Sequence, residues 1–245
     1  MAAIELDIDR FLNNRARLLA EITELAAAAQ RPTPEVVVVT KYVDAAATAT
    51  LLERGIAPLG ENRVADLTTK TGDLTTMPSA ATAAARWHFI GHLQRNKVGR
   101  ALGRFGLLHS LDNRRLAATI VAEGAKLNVP PCRCLVQVNV SGEASKGGVS
   151  ASDSLQKAAD EVLSWIESFP TLEIAGLMTM APQLPSAACR PLFGRLRELR
   201  DLIQAGLSGR PKDRFRELSM GMSNDYREAV QEGATLLRLG RILYQ

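Results

Sequence analysis

Short apolar runs alternate with helical stretches along nearly the whole chain, and that alternation restricts the fold more than any single residue does. The runs are Val36–Thr40, Ile56–Gly60, Trp87–Gly91, Gly106–Ser110, Arg133–Val140, Ile174–Met180, Glu217–Met220 and Thr235–Leu239. Each is strand-length and rich in valine, isoleucine or leucine, as a strand buried on both faces requires. Between them Ala45–Arg54, Gln94–Leu102, Arg114–Leu127, Leu155–Ser168, Leu192–Ala205 and Asp225–Glu232 are helical in composition. Strand and helix in alternation imply a parallel sheet, and eight such units imply an α/β fold of the (β/α)8, TIM-type barrel class. A doubly wound open sheet is the alternative; eight strands and no G-x-G-x-x-G at the first turn count against it.

Ahead of the first run, Ile4–Gln30 reads as an extra N-terminal helix. Ile8, Phe11, Leu12, Leu18, Leu19, Ile22 and Leu25 recur at helical spacing, and Arg31-Pro32 ends it. It closes the barrel bottom or flanks the first strand. Thr71–Ala85 and Ala181–Ala188 read as loops, and no stretch reads as a linker, so residues 1–245 are expected to form a single barrel domain.

Composition removes several function classes. Aromatics are 4%, too few for a base-stacking platform, and a net charge of +4 does not argue for nucleic acid. No apolar run approaches the length that spans a membrane. Three cysteines (Cys132, Cys134 and Cys189) and no leader sequence point to a reducing cytoplasm. Cys132 and Cys134 share a strand face as free core thiols; with three scattered histidines they make a poor metal site, and none is expected.

In a barrel of this class chemistry sits at the C-terminal strand ends. Strand one ends in Lys41, strand two in Glu61-Asn62, strand three in Gly91-His92 and strand four in His109-Ser110. Strand five ends in Asn139–Gly142, strand seven in Ser219–Ser223 and strand eight in Arg238–Arg241. Lys41 follows four valines, where burial would disfavour the ammonium form and leave an amine able to attack a carbonyl; a lysine that snorkels to water is the plain alternative. Ser219-Met220-Gly221-Met222-Ser223 offers hydroxyls, a glycine and a following helix start, which suit an anion, as does Gly240-Arg241 beside it. Ser223 and Asp225 are equally suited to helix capping. Arg238 alternates with Leu237 and Leu239 and so points into the barrel top, where a carboxylate or a heteroaromatic nitrogen would partner it. Asn62 and Asn139 suit either turns or a pocket wall.

These stretches resemble the fold-type III pyridoxal phosphate barrel, the N-terminal domain of alanine racemase, and more closely the pyridoxal phosphate homeostasis proteins (YggS/PROSC type). The likeness is carried by Val39-Thr40-Lys41, Gly60-Glu61-Asn62-Arg63, Trp87–Lys97, His109-Ser110-Leu111-Asp112, Val138–Glu143, Gly176–Met180 and Ser219–Ser223. The resemblance implies that Lys41 forms a Schiff base with pyridoxal 5'-phosphate. It implies that Ser219, Met220 and the Gly240-Arg241 backbone hold the phosphate, that Arg238 faces the pyridine nitrogen, and that Asn62 lies near the ring. A permanent cation at that nitrogen weakens the ring as an electron sink, which suits a carrier or a racemase better than a transaminase. Arg241 departs from the threonine or serine of many relatives, so a guanidinium stands where a hydroxyl contact is expected. An eighth helix is expected to be minimal or absent.

The expected function is therefore intracellular pyridoxal phosphate homeostasis, with release to apo-enzymes and without strong catalysis. A two-base racemase needs an acid or base on each face of the cofactor. Tyr42, Tyr226 and Tyr244 have no evident claim to the second face, Tyr42 because strand geometry would turn it away from Lys41; His88, His92 and His109 are the substitutes. A racemase of low or narrow activity is the alternative, and a protein-interaction module using Arg63, Arg95 and Lys97 is the third reading. A monomer is expected.

Overall fold

The computed structural model describes residues 4–76, 85–143 and 146–245, without the side chain of Arg210. Its strands are β1 (Glu35–Val39), β2 (Leu59–Glu61), β3 (Trp87–Phe89), β4 (Leu107–Leu111), β5 (Arg133–Asn139), β6 (Val149–Ser150), β7 (Glu173–Met178), β8 (Glu217–Ser219) and β9 (Leu236–Leu239). They run in the order β4-β3-β2-β1-β9-β8-β7-β5, and β4 also pairs with β5, which closes a barrel of eight parallel strands. Two-residue β6 lies on β5 outside that ring; its brevity hides it from pattern reading.

The helices are α1 (Ile8–Ala28), α2 (Ala45–Glu53), α3 (Val64–Thr75), α4 (Val98–Ala101), α5 (Arg114–Leu127), α6 (Leu155–Ser168), α7 (Ser186–Gly206), α8 (Gly209–Arg214), α9 (Tyr226–Gln231) and α10 (Arg241–Tyr244). Several strand-to-helix turns end in a capping residue, which satisfies one of the free N–H groups of the first turn. Asp44 accepts from the Ala47 amide at 2.8 Å, and Asn113 from the Leu116 amide at 2.8 Å. The barrel is a TIM-type barrel with α1 added, as expected. Asn14 on α1 donates to the carbonyls of Leu243 and Gln245, and the rings of Phe11 and Tyr244 lie 5.2 Å apart. So α1 covers the flank where α10 is only one turn long.

Strand alternation separates two apolar layers. Val37, Leu107, Leu135, Ala175, Met178 and Leu236 pack inside the barrel. Val36, Val38, Leu108, Val136 and Leu237 face outward into the larger layer under the helices. β1 is thus buried on both faces, which is why it reads as four consecutive valines.

Four segments differ from the sequence expectation: Gly209–Arg214 is an unexpected short helix, and the expected helix Gln94–Leu102 is a 3-10 turn, Arg95–Lys97, followed by the one-turn α4. Thr71–Thr75, expected in a loop, belongs to α3; residues 77–84 of that expected loop lie outside the described residues. In α3, Val64, Leu67, Lys70 and Leu74 form the buried face. Its threonines return their hydroxyls to carbonyls of the preceding turn, Thr68 to Ala65 at 2.9 Å and Thr71 to Leu67 at 2.8 Å. That local bonding satisfies the hydroxyls without strengthening the helix, so its buried face is what holds α3. Helix α7 begins at Ser186, six residues earlier than expected, and carries Pro191 within it. Pro191 forgoes only one N–H near the helix start, and Cys189 and Phe193 on either side are buried. Among the described residues no helix is long and apolar enough to cross a membrane.

Candidate functional site

β1 stops at Val39, so Lys41 stands in the turn above it and is exposed. The burial expected of Lys41 is therefore not found: sheet pairing ends with Val39 opposite Gly60 and Thr40 donating its amide to the Gly60 carbonyl. Its Nζ lies 5.0 Å from the centre of the Tyr42 ring. The end of the strand also corrects the expectation for Tyr42. Its ring does not turn away from Lys41 but lies beneath its Nζ, held against Tyr244 at 5.6 Å between centroids. Tyr244 in turn donates to the Val39 carbonyl at 3.2 Å.

Beside β1, β2 ends in Glu61 and Asn62. Glu61 is fully buried and faces outward, where it meets Lys70 of α3 at 2.5 Å and the Thr40 hydroxyl at 2.6 Å. Lys70 also donates to the Thr40 carbonyl at 2.7 Å. The next residue, Asn62, is half-buried, and its Oδ1 is buried without a hydrogen-bond partner. A buried amide oxygen left unpaired costs about 1–3 kcal/mol, so a donor that reached it would be held there.

The loop after β8 turns at Gly221, whose φ is +90° and where a Cβ would fall 2.6 Å from that of Ala229. Only glycine fits such a turn. The loop is closed by Asp225, which accepts from the Met222 amide at 2.6 Å; burial raises its carboxyl above the ordinary value. Across from it, Gly240 lies against the Tyr42 ring and Val39, where a Cβ would come within 2.8 Å of Tyr42 Cε2. Arg241 opens α10 and is exposed. Gly221–Asn224 and Gly240-Arg241 therefore share the rim next to Lys41.

Ser219 and Met220 are placed lower. Both are fully buried, and the Met220 amide is used in the sheet, donating to Leu236 at 3.2 Å. The Ser219 hydroxyl lies inside the barrel, accepts from Arg238 Nη1 at 2.5 Å and touches His109 Nδ1 at 2.7 Å. Strand register explains it: Ser219 pairs with Leu236, two residues below Arg238, and both belong to the inward-facing set. Arg238 also donates through Nη2 to the Thr179 carbonyl at 2.8 Å. Burial lowers this guanidinium to about 10, opposed by the charge of Asp225. Its contacts are neutral oxygens and not a carboxylate, one of the two partners weighed from the sequence.

The remaining strand-end residues divide by role. Asn139 accepts from the Gly142 amide at 3.0 Å and donates to the Glu143 carbonyl at 2.9 Å, so it shapes the loop after β5. His88 and His109 are buried in contact at 3.0 Å. His92 is 65% exposed and sits 3.1 Å from Asp112. Sequence reasoning missed Lys70, which gave no signal because α3 itself was not expected; Thr179, in the Gly176–Met180 stretch, contributes its carbonyl to Arg238.

A profile of the alanine racemase N-terminal domain matches residues 14–245. A pyridoxal phosphate homeostasis protein of Pseudomonas aeruginosa is 36% identical over 94% of this chain and 93% of its own. One of Aquifex aeolicus is 38% identical over 78% of this chain and 77% of its own. The solved structure of PipY from Synechococcus elongatus with PLP bound superposes with a TM-score of 0.72, at 30% identity, covering 91% of this chain and 100% of that one.

Proposed function

The chain belongs to the alanine racemase N-terminal domain family, as one of its pyridoxal phosphate homeostasis proteins, and from that membership we propose that it binds pyridoxal 5'-phosphate through Lys41. One observation of the molecule supports this beyond family: the unpartnered, buried Oδ1 of Asn62 at the end of β2, the strand next to the one that leads into the exposed Lys41. The absence of a side chain at Gly240 lets the Tyr42 ring pack against the backbone at the end of β9. These residues fit the cofactor. Lys41 supplies the amine for a Schiff base, and Asn62 a contact to a ring substituent. Arg238 lies beneath the rim for the pyridine nitrogen, and Gly221–Asn224 with Gly240-Arg241 provide amides for the phosphate. The Ser219 hydroxyl is engaged with Arg238 and His109, so its part is in holding Arg238.

When bound, the cofactor supplies an electrophilic carbon and an electron sink. The chain's residues hold it at an open rim with Lys41 in contact with water. Such a rim suits reversible loading and release more than protection of a carbanion. The proposed role is intracellular homeostasis of the cofactor, carried by one barrel domain acting as a cytoplasmic monomer and passing the cofactor to apo-enzymes. The test is the absorbance of the protein with added pyridoxal phosphate beside Lys41→Ala. A visible band that wild type shows and the variant lacks supports the reading; two spectra equal to that of free cofactor end it.

A weak racemase is the second reading, and His92 is the observation that favours it. It is a solvent-facing imidazole oriented by Asp112, in the turn after β3, two strands from β1. Exchange of an amino acid's α-proton for deuterium by the loaded protein, lost in His92→Phe, would establish it.

A further inference from the structure

A line of buried polar side chains crosses the interior of the barrel from β3 to β9. His88 Nδ1 meets His109 Nε2 at 3.0 Å, and His109 Nδ1 meets Ser219 Oγ at 2.7 Å. Arg238 donates to the same Oγ at 2.5 Å and to the Thr179 carbonyl at 2.8 Å. Their exposures are 7% for His88, 0% for His109, 0% for Ser219 and 5% for Arg238. Around them the inner layer is apolar, with Val37, Leu107, Leu135 and Leu236 as neighbours in the same core.

Polar side chains persist in such a core only when each is paired. A guanidinium has only donors, so Ser219 Oγ must accept from Arg238. The hydroxyl's remaining capacity then depends on His109 Nδ1. Burial holds His109 well below its ordinary value and pushes His88 down to about 4, with Arg86 and Arg133 adding to the effect on His88. Neutral imidazoles each carry one donor and one acceptor nitrogen, which is what an unbroken line from Arg238 to His88 needs.

We propose that His109 is a positioning residue: acting through the Ser219 hydroxyl, it fixes the plane of the Arg238 guanidinium, and with it the charge presented to the heteroaromatic nitrogen of the bound cofactor. The second half rests on the reading of Arg238 given above. The first half does not, and the experiment separates them.

The first arm uses the protein without cofactor. The ¹⁵N and ¹H signals of the Arg238 guanidinium and the tautomer of His109 are followed by NMR in wild type, His109→Leu, His109→Gln and Ser219→Ala. Slowly exchanging, dispersed Arg238 signals are expected in wild type, with loss of dispersion in His109→Leu and Ser219→Ala and partial recovery in His109→Gln. Ser219→Ala removes one oxygen and keeps the strand, so it decides the matter if His109→Leu fails to fold. Unchanged Arg238 signals in Ser219→Ala overturn the anchoring.

The second arm follows the visible spectrum of the loaded proteins against pH, with Arg238→Gln as reference. His109→Leu is expected to move the midpoint in the same direction as Arg238→Gln, by at least half as much, with His109→Gln in between. A profile unmoved in His109→Leu but moved in Arg238→Gln overturns the inference. A profile unmoved in Arg238→Gln itself removes Arg238 from the cofactor nitrogen while the first arm still judges the anchoring.

Discussion

Lys70 and Glu61 form an ion pair at 2.5 Å with side chains 7% and 0% exposed, and it ties α3 to the ends of β1 and β2 that carry Lys41 and Asn62. The same Nζ holds the Thr40 carbonyl, and the same carboxylate holds the Thr40 hydroxyl. Removing one partner leaves a buried charge unpaired, which costs about 3–5 kcal/mol. Lys70→Met is therefore expected to lower unfolding free energy in urea by that order. Adding Glu61→Gln to Lys70→Met should recover a large part of it, because no buried charge then remains. Equal stability of Lys70→Met and wild type would show the pair to be solvated in solution.

Asn62 carries the opposite expectation. Its Oδ1 is buried and unpaired before any ligand binds. Asn62→Ala should therefore leave the stability of the cofactor-free protein within about 1 kcal/mol of wild type, while weakening retention of pyridoxal phosphate about tenfold, the effect of one lost hydrogen bond. Denaturation and equilibrium dialysis on the same samples check it. A variant that loses stability but keeps the cofactor would make Asn62 a structural residue only.

Acid stability follows from His88 and His109. Both are depressed in the folded protein, His88 from 6.5 to about 4 and His109 well below 6.5, chiefly by burial. Between those values the unfolded chain binds protons that the folded chain excludes, so stability rises with pH across the window. It is present in full above about pH 7 and is lost as pH falls through 6.5 toward 4, by about 3 kcal/mol for His88 alone. Denaturation midpoints at pH 7.5 and pH 5 should differ strongly in wild type, and less in His88→Leu. An equal slope in the variant would remove His88 from the cause.

Gly221→Ala tests the rim loop. At φ +90° with a Cβ only 2.6 Å from Ala229 Cβ and 2.8 Å from Leu237 Cδ2, the loop must move or the core must give. A loss of about 2 kcal/mol or more is expected, together with weaker binding of pyridoxal phosphate. Inorganic phosphate competes for the same amides and should protect wild type, but not the variant, against thermal unfolding. Protection of both alike would place the phosphate elsewhere.

The chain's own pattern was enough to identify the barrel. Alternating apolar runs declare parallel strands, and runs buried on both faces, such as Val36–Val39, need no tertiary knowledge to recognise. Lys41, Asn62, Arg238 and Gly240-Arg241 stand out in the sequence as polar residues that interrupt or follow apolar strand runs. Arg238's inward direction followed from the two-residue period of β9. What local pattern could not say was where pairing stops. That depends on partners far along the chain: Val39 ends β1 because its register with Gly60 ends there, which brings the Lys41 amine over the Tyr42 ring. Helix α3 was hidden because threonine and glycine weigh against it until Leu67 and Leu74 are buried under the barrel. The Ser219 hydroxyl and His109 are 110 positions apart, and Lys70 meets Glu61 only once α3 has docked. Propensity and periodicity act over a few residues and specify elements. Hydrogen bonds between buried polar groups form only after the barrel closes, so the tertiary structure alone decided which of these side chains stand at the rim and which hold one another.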